Sequence, residues 1–376
     1  MRYIKRAISK KIQNRLFENK AIIVLGPRQV GKTTMIKQIL KKQTSILYLN
    51  GDDADIRDLL ANTTSTKLKN IIGNNNIIFI DEAQRIENIG ITLKIIIDQI
   101  SNVQVIATGS SSLELCSKIN EPLTGRKYEY YLHPLSFGEM VSHHGLLEEN
   151  RLLEDRLLYG YYPEIVTQLG NKKEELLRLL ADSYLYKDIL MLGDIKKPAL
   201  LNKILKALAL QIGNEVSFNE IGQLVGSGSQ TIEKYIDLLE KSFVIFQLPA
   251  YSANVRNEIR KGKKIYFYDT GIRNAIIGNF SRLNQRTDVG ALWENFLIAE
   301  RVKSLAIKSI KAESYFWRTT QQQEIDYIEI SSNTMEAYEF TWNPKTKKKI
   351  SKTFMHAYRN CSAQIITSDN FNNFLI

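Results

Sequence analysis

The chain has 376 residues, of which 44% are hydrophobic, so it can bury more than one core and is not intrinsically disordered. Its 51 lysines and arginines exceed its 40 acidic residues, and the resulting net charge of +11 favours a polyanionic partner. Two widely separated cysteines indicate neither a zinc site nor a disulfide framework, and without a signal peptide or a ~20-residue apolar run we expect a cytoplasmic protein that does not insert into membranes.

A phosphate-binding loop follows the first apolar run of the chain. Residues 26–33 read GPRQVGKT, which fits the pattern G-x-x-x-x-G-K-T, and they lie between a predicted buried strand, residues 21–25, and a segment with helical spacing, residues 34–40. Free backbone amides and the helix dipole bind phosphate at such a position. Lys32 would reach the β- and γ-phosphates, and Thr33 would offer its hydroxyl to Mg²⁺. We predict that ATP or GTP is bound by Gly26, Pro27, Arg28, Gln29, Val30, Gly31, Lys32, Thr33 and Thr34.

Two carboxylates follow a second apolar run. Residues 77–80 are too apolar to face water, and they end in Asp81 and Glu82. In phosphate-binding proteins with this pattern the first carboxylate holds Mg²⁺, so Asp81 is the predicted metal ligand. Glu82 is the predicted base that polarises the attacking water and so makes the protein a hydrolase. The alternative is a solvated strand end without a catalytic role.

Hydroxyl groups follow a third apolar run, residues 103–107. Thr108 and Ser110 are predicted to sense the γ-phosphate or to orient the attacking water. Ser111 and Ser112 have a second interpretation that is equally good, because serines before a helical segment commonly act as helix caps.

Arg126 is the charged residue of greatest interest beyond the third strand. An arginine near the γ-phosphate can stabilise the charge of the transition state, and it can come from the same subunit or from a neighbouring subunit of a homo-oligomer. The alternative is a surface arginine. Residues 146–197 have a helical pattern and are predicted to form a small lid.

Residues 198–275 are predicted to form a winged helix. Helical segments are separated by a short Gly-Ser-Gly turn, residues 226–228, and two strand-like runs follow with a basic loop between them. The predicted contacts with double-stranded DNA are Gln230, Thr231 and Lys234 on the recognition helix, and Arg256 and Arg260 on the wing. Because Glu233 and Asp237 share that helix, protein docking is the alternative.

Three acidic residues stand out in residues 276–376. Glu294 on a helix, and Asp326 and Glu339 on strands, could converge on a divalent metal and resemble the core of PD-(D/E)xK nucleases. That family has a lysine two residues beyond the last acid, where this chain has Thr341. Lys345 or Lys347 would have to replace it, so solvated carboxylates are the favoured interpretation. The simplest interpretation of the lysine cluster is a solvated loop, and contact with a nucleic-acid backbone is the alternative; the cluster contains Lys345, Lys347, Lys348, Lys349 and Lys352.

Six segments resemble one protein family over nearly the whole chain. They are VLGPRQVGKTT at 24–34, FIDEAQ at 79–84, ATGSS at 107–111, LTGR at 123–126, PLSF at 134–137 and YDTGI at 268–272. They resemble a prokaryotic AAA+ family that joins an archaeal-type ATPase core to a winged helix and a nuclease-like domain of uncharacterised role. The resemblance implies an ATPase that uses ATP and Mg²⁺. Two positions depart from it, since relatives tend to have glycine at Tyr161 and arginine at Lys187, and lysine lacks arginine's planar fork.

We therefore expect an α/β protein with a P-loop NTPase (AAA+) core at residues 1–145 and a helical lid at 146–197. A winged helix at 198–275 and a degenerate, restriction-endonuclease-like α/β domain at 276–376 would follow. Hydrolysis of ATP would rearrange these C-terminal domains, with DNA as a plausible partner. The alternatives are a nucleotide-gated regulator or adaptor with little turnover, and an ATP-dependent nuclease.

Overall fold

The computed structural model describes residues 3–110, 119–168, 170, 172–191, 197–252, 262–332 and 334–376, and only the backbone of residues 183–191. The chain divides into two compact units. The first contains the residues up to Pro134 together with two short later segments, and the second contains most of the chain from Leu135 onward. The helix Phe137–His144, which falls within the predicted core of residues 1–145, is therefore in the second unit.

The first unit is built on a five-stranded parallel sheet. Its strands are β1 (Ala21–Leu25), β2 (Ile46–Asn50), β3 (Ile77–Asp81), β4 (Gln104–Gly109) and β5 (Lys127–Tyr131). They lie in the order β2-β3-β4-β1-β5, so β4 separates β1 from β3. Strands β1, β3 and β4 are buried along their whole length, as continuous apolar runs predict for central parallel strands. The predicted α/β architecture of this unit is confirmed.

One short helix precedes the strands of the first unit, and four others connect them. They are α1 (Ser9–Asn14), α2 (Lys32–Ile39), α3 (Ala54–Leu60), α4 (Ser65–Ile72) and α5 (Ile89–Gln99). Helix α2 begins at Lys32, within the last two residues of the phosphate-binding motif and two residues before the predicted segment, and it buries Met35, Ile36 and Ile39. Burial of each such apolar side chain contributes about 1.5–3 kcal/mol, so α2 holds the end of the loop at a defined place against the sheet.

A buried arginine fastens the phosphate-binding loop to the rest of the first unit. Arg6 is only 5% exposed, and its guanidinium donates to the carbonyl of Val30 at 2.8 Å and to that of His133 at 2.7 Å. Val30 lies within the loop, whereas His133 follows β5. Because hydrogen bonds from a charged group contribute about 1.5–3 kcal/mol each, Arg6 stabilises the loop before any nucleotide binds.

The second unit contains two sheets and most of the helices. Its strands are β6 (Glu215–Val216), β7 (Ile245–Pro249), β8 (Lys263–Phe267), β9 (Glu313–Arg318), β10 (Glu324–Ser331), β11 (Thr334–Phe340) and β12 (Cys361–Ile366). Its helices are α6 (Phe137–His144), α7 (Leu146–Arg151), α8 (Leu153–Tyr159), α9 (Pro163–Val166), α10 (Lys172–Met191), α11 (Pro198–Leu210), α12 (Phe218–Val225), α13 (Ser229–Lys241), α14 (Thr270–Ile277), α15 (Val289–Lys308), α16 (Lys352–Ala357) and α17 (Phe371–Leu375). The end of α10, residues 187–191, and the last residue of α13, Lys241, belong to the first unit. Within the described ranges, no helix combines the length and apolar character that crossing a bilayer requires.

The two sheets of the second unit differ in composition and in pairing. A three-stranded antiparallel sheet has the order β6-β8-β7, and a four-stranded sheet has the order β12-β11-β10-β9 with one parallel pair, β11 with β12. Helices α12 and α13 are joined by a tight turn, since a Cβ at Gly222 would lie 2.6 Å from the carbonyl oxygen of Ser227. The basic loop predicted between β7 and β8, with Arg256 and Arg260, lies outside the described residues.

Buried charged groups bind backbone amides and carbonyls within the second unit. Glu300 accepts from the backbone N–H of Phe137 at 2.7 Å, and Lys303 donates to the carbonyl of Leu135 at 3.0 Å. Asp269 accepts from the backbone N–H of Tyr161 at 2.7 Å. Two segments that carry the family resemblance, PLSF and YDTGI, therefore have structural roles here, because their residues supply or receive these bonds.

Candidate functional site

The phosphate-binding loop curls between β1 and α2 in a conformation that two glycines permit. Gly31 has φ +89° and precedes the first residue of α2. Gly26 packs against the residue that follows β5, and a Cβ on Gly26 would lie 2.0 Å from the carbonyl oxygen of Leu132. A side chain at Gly26 would therefore displace the loop, and one at Gly31 would strain it. The remaining loop residues, Pro27, Arg28, Gln29 and Val30, span the curl, and Thr34 lies in the first turn of α2.

The ammonium group of Lys32 lies inside the curl of the loop. Its Nζ atom donates to the carbonyls of Gly26 and Pro27, both at 2.8 Å, and its side chain is buried. The positive charge of Lys32 therefore already lies inside the loop, where a polyphosphate would bind the loop amides. A bound phosphate would exchange these carbonyl acceptors for phosphate oxygens, which are stronger partners of an ammonium group.

Hydroxyl groups from α2 and β4 meet the Asp81 carboxylate at the end of β3. Thr33 Oγ1 donates to Asp81 Oδ2 at 2.7 Å, and Thr108 Oγ1 donates to Asp81 Oδ1. Parallel strands end at the same edge of a sheet, so β3 and β4 deliver these groups beside the loop that follows β1. A hydroxyl and one carboxylate suit Mg²⁺, which is usually held by one or two carboxylates together with substrate phosphates.

Tyr48 also binds this carboxylate, a contact that no sequence pattern indicated. Its hydroxyl donates to Asp81 Oδ2 at 3.1 Å from the neighbouring strand β2, and its ring packs against Phe79 with 5.3 Å between centroids. Burial and the charge of Asp81 raise the pKa of Tyr48 to about 12, so it remains a donor at neutral pH. Tyr48 is the middle residue of β2, and no sequence motif marks it.

Glu82 is held by two bonds that the sequence did not reveal. Its backbone N–H donates to Thr108 Oγ1 at 3.3 Å, and its carboxylate Oε2 accepts from Gln84 Nε2 at 2.7 Å. The same amide nitrogen of Gln84 donates to Ser110 Oγ at 2.9 Å. Glu82 has φ +50°, and a Cβ on Gly51 would lie 2.5 Å from its carbonyl oxygen, so the turn packs tightly against the end of β2. The structure thus brings Glu82, Thr108 and Ser110 together with Asp81.

Arg126 does not lie with these residues. It immediately precedes β5, and its carbonyl accepts from the backbone N–H of Ala21 at the start of β1. Its guanidinium donates to Asp98 at 2.8 Å on the partly exposed surface. The phosphate-binding loop is at the opposite, carboxyl end of β1, about 16 Å away for a five-residue strand. An approach of Arg126 to the γ-phosphate within the same subunit is therefore contradicted, because β1 lies between them.

Some predicted residues fall outside what the structure describes. Ser111 and Ser112 lie in the undescribed range 111–118, and the side chain of Lys187 is not described.

Two acidic residues of the C-terminal region contact a lysine that was predicted to lie in a solvated loop. Lys348 Nζ lies 2.6 Å from Asp326 Oδ2 and 2.7 Å from Glu339 Oε2. Lys345 and Lys347, the expected substitutes, are exposed. The prediction that Asp326 and Glu339 are solvated is wrong, because the fold buries both and supplies a cation instead of water.

A second lysine neutralises the third acid of this cluster. The buried Lys264 Nζ lies 3.0 Å from Glu294 Oε1, which also accepts from the hydroxyl of Tyr266 at 2.5 Å. Burial raises the pKa of Glu294 to about 7, although Lys264 opposes this rise. Among the described residues, no group of three or more His, Cys, Asp or Glu side chains is arranged to hold a metal ion. The carboxylates therefore do not fit a divalent metal in this arrangement, because ammonium groups bind them.

Comparisons with known proteins match the first part of the chain to an AAA domain. Residues 18–141 match a family model described as an AAA domain, while residues 150–283 and 289–374 match domains of unknown function, DUF8612 and DUF4143. An uncharacterized protein of Mycobacterium tuberculosis is 27% identical over 333 residues, with 87% of this chain and 71% of the relative covered. Another, of Haemophilus influenzae, is 25% identical over 350 residues, with 84% of each covered.

One solved structure, a Walker-type ATPase of Pyrococcus abyssi, is similar in fold. It aligns with a TM-score of 0.53 at 15% identity and covers 73% of this chain and 96% of that one. The AAA match and this shared fold support a P-loop ATPase family.

We predict that the C-terminal acidic cluster makes stability fall as pH rises. Burial and the neighbouring Asp326 raise the pKa of Glu339 from 4.5 to about 8, so the folded state keeps a proton that the unfolded chain releases. The free energy of unfolding should decrease between about pH 4.5 and about pH 8. Chemical denaturation across this range should show a smaller decrease in Glu339→Gln. The control Glu336→Gln, on the same strand, should keep the parental dependence, and an unchanged dependence in Glu339→Gln would contradict the assignment.

Proposed function

We propose that the protein binds and hydrolyses ATP with Mg²⁺. The observation that carries this proposal is the arrangement around Asp81, whose carboxylate accepts from Thr33 and Thr108 beside a loop that already encloses the ammonium of Lys32. These groups come from three separate elements and meet at one edge of the parallel sheet. A nucleotide site needs cations, amides, a hydroxyl and a carboxylate at that edge.

Each residue has a distinct role in the proposed reaction. The loop amides and Lys32 would bind the β- and γ-phosphates, and Thr33 and Asp81 would hold the metal. Magnesium, when bound, would polarise the γ-phosphoryl group and offset its developing charge. Glu82 would accept the proton of the attacking water, while Thr108 and Ser110 would respond to the γ-phosphate. An arginine of a neighbouring subunit, Arg126, would complete the site only in a homo-oligomer.

The proposed output of hydrolysis is a rearrangement of a helical lid, a winged helix and a nuclease-like domain. Support for the winged helix comes from α12 and α13, which are joined by a tight turn. Strand β6 precedes them and β7 and β8 follow them, and the three strands form the β6-β8-β7 sheet. Support for the nuclease-like domain comes from the mixed four-stranded sheet and from Asp326 and Glu339 on its central strands. A nucleotide-gated regulator or adaptor with little turnover is the alternative.

We predict different defects for two substitutions in the nucleotide site. Lys32→Ala should abolish ATP binding, because it removes the charge inside the loop, whereas Glu82→Gln should bind ATP normally and lose hydrolysis by about 10²–10⁴-fold. Equilibrium titration with a fluorescent ATP analogue and a phosphate-release assay measure the two effects. Equal loss of affinity in both variants would remove Glu82 from the role of base.

The same assays distinguish an ATPase from a nucleotide-gated regulator with little turnover. Steady release of phosphate by the parent chain supports the ATPase. Tight nucleotide binding with no turnover, alone or with duplex DNA, would favour the nucleotide-gated regulator.

A DNA partner is proposed from the exposed face of α13. Gln230 and Lys234 are exposed there, and the chain carries a net charge of +11. The acidic Glu233 is exposed on the same helix and leaves protein docking as the competing interpretation.

We predict that affinity for duplex DNA falls steeply with salt, because Lys234 would release counterions from backbone phosphates. Lys234→Ala should reduce the slope of log K against log salt concentration by about 1. Lys69→Ala, which changes an exposed lysine on α4 in the first unit, should leave the slope unchanged. Fluorescence anisotropy at several salt concentrations measures both. Undetectable or salt-independent binding would favour protein docking.

We predict that the C-terminal domain does not cut DNA. Lys264 and Lys348 bind the acidic side chains that a catalytic metal would need, and Thr341 occupies the position where related nucleases have a lysine. Supercoiled and linear DNA should remain intact with Mg²⁺ or Mn²⁺. Cleavage that disappears in Asp326→Ala would make the nuclease the better reading of this domain.

A further inference from the structure

Gln84 is a buried amide beside the candidate base, and no role has yet been given to it. It lies in a single 3-10 turn, Ala83–Arg85, that follows β3, and its side chain is 3% exposed. Ala83 and Ile86, on either side of Gln84, are fully buried and anchor the turn to the core. The left-handed conformation of Glu82 directs this turn back across the carboxyl edge of the sheet, where Gln84 meets both Glu82 and Ser110.

One amide nitrogen of Gln84 serves two acceptors from different strands. Its two hydrogens can be donated separately, one to the Glu82 carboxylate at 2.7 Å and one to the Ser110 hydroxyl at 2.9 Å. Glu82 follows β3, whereas Ser110 follows β4, the strand that lies between β3 and β1. The amide therefore draws the Glu82 carboxylate toward β4, and so toward the side of the site where the phosphate-binding loop begins.

We propose that Gln84 is a positioning residue that holds Glu82 in the orientation from which it polarises the attacking water. The proposal rests on the proposed ATP hydrolysis. A glutamate side chain otherwise explores several rotamers, and ordering it beforehand removes that entropic cost from the chemical step. The second hydrogen of the Gln84 amide is donated to Ser110, which follows β4, and this bond holds the Gln84 side chain in one orientation.

If Gln84 positions Glu82, removal of the Gln84 amide should lower the rate of ATP hydrolysis and leave the affinity for nucleotide unchanged. Apart from Ser110, which Gln84 itself contacts, the groups proposed to bind phosphate and Mg²⁺ are held by separate bonds, since Lys32 donates to loop carbonyls and Thr33 donates to Asp81. Removing the Gln84 amide leaves those bonds in place. A misplacement of a catalytic group by about 1 Å can lower a rate by about 10²-fold.

The test compares Gln84→Met, which keeps the length of the side chain but lacks the amide, with the parent chain. We expect kcat to fall about tenfold to hundredfold, while KM and the affinity for a fluorescent ATP analogue change by less than about twofold. Gln84→Asn retains a polar group in the turn but is one methylene too short to reach both acceptors, and it should show the same loss of kcat in a folded chain. If either folded variant keeps the parental kcat, or if nucleotide affinity falls with kcat, the proposal is overturned.

A matched control comes from the other end of β4. Gln104 is 2% exposed, and its amide donates to the carbonyls of Lys20 and Val105. Gln104→Met removes an equally buried amide from the same sheet, far from the site. It should lower the melting temperature without lowering kcat. An equal fall of kcat in both variants would show that Gln84→Met acts through general destabilisation.

The Glu82→Gln background shows whether Gln84 acts through the base. In single-turnover experiments, adding Gln84→Met to Glu82→Gln should cause no further loss, because no carboxylate remains to be positioned. Multiplicative losses would contradict the proposal. If the parent chain hydrolyses ATP and needs Glu82, but Gln84→Met turns over normally, only the role of Gln84 fails. If the parent shows no hydrolysis at all, the proposed ATPase fails and this inference fails with it.

Discussion

The carboxylate of Asp81 joins the elements that form the nucleotide site. It accepts hydrogen bonds from Thr33 at the start of α2, from Tyr48 on β2 and from Thr108 on β4. Such a buried charge is tolerated because several donors surround it, and these donors in turn fix the helix and both strands relative to β3. Since the strands are parallel, all these groups reach the same edge. The site is therefore a consequence of the sheet order as much as of the phosphate-binding loop.

A buried charge is balanced differently in the second unit. There, Lys348 contacts Asp326 and Glu339, and Lys264 contacts Glu294, while burial raises the pKa of Glu339 to about 8, so that this carboxyl group keeps its proton at neutral pH. Removing one member of a buried pair leaves the other uncompensated, which typically costs about 3–5 kcal/mol, so these lysines are structurally required wherever the acids are ionised. The three acidic residues resemble a nuclease active site in the sequence, but in the structure each of them contacts a lysine.

The family resemblance outside the phosphate-binding loop has a structural explanation. Asp269 binds the backbone N–H groups of Tyr161 and Ile272, and a Cβ at Gly160 would lie 2.1 Å from its carboxylate. Glu300 and Lys303 on α15 bind the backbone of residues 135–137 in the same way. Backbone groups buried without partners are costly, so segments held by charged side chains tolerate little change. These motifs concern the assembly of the second unit more directly than its chemistry.

The sequence by itself determined the parallel strands β1, β3 and β4 and the phosphate-binding loop, because long apolar runs and a fixed pattern of glycine, lysine and threonine are local signals. Only the tertiary structure decided which side chains surround those residues. The roles of Tyr48 and Gln84 depend on which strands are neighbours, the position of Arg126 depends on which end of β1 it adjoins, and Lys348 binds acids 22 and 9 positions away in the sequence. Such pairings are contacts between distant segments, and no local periodicity records them.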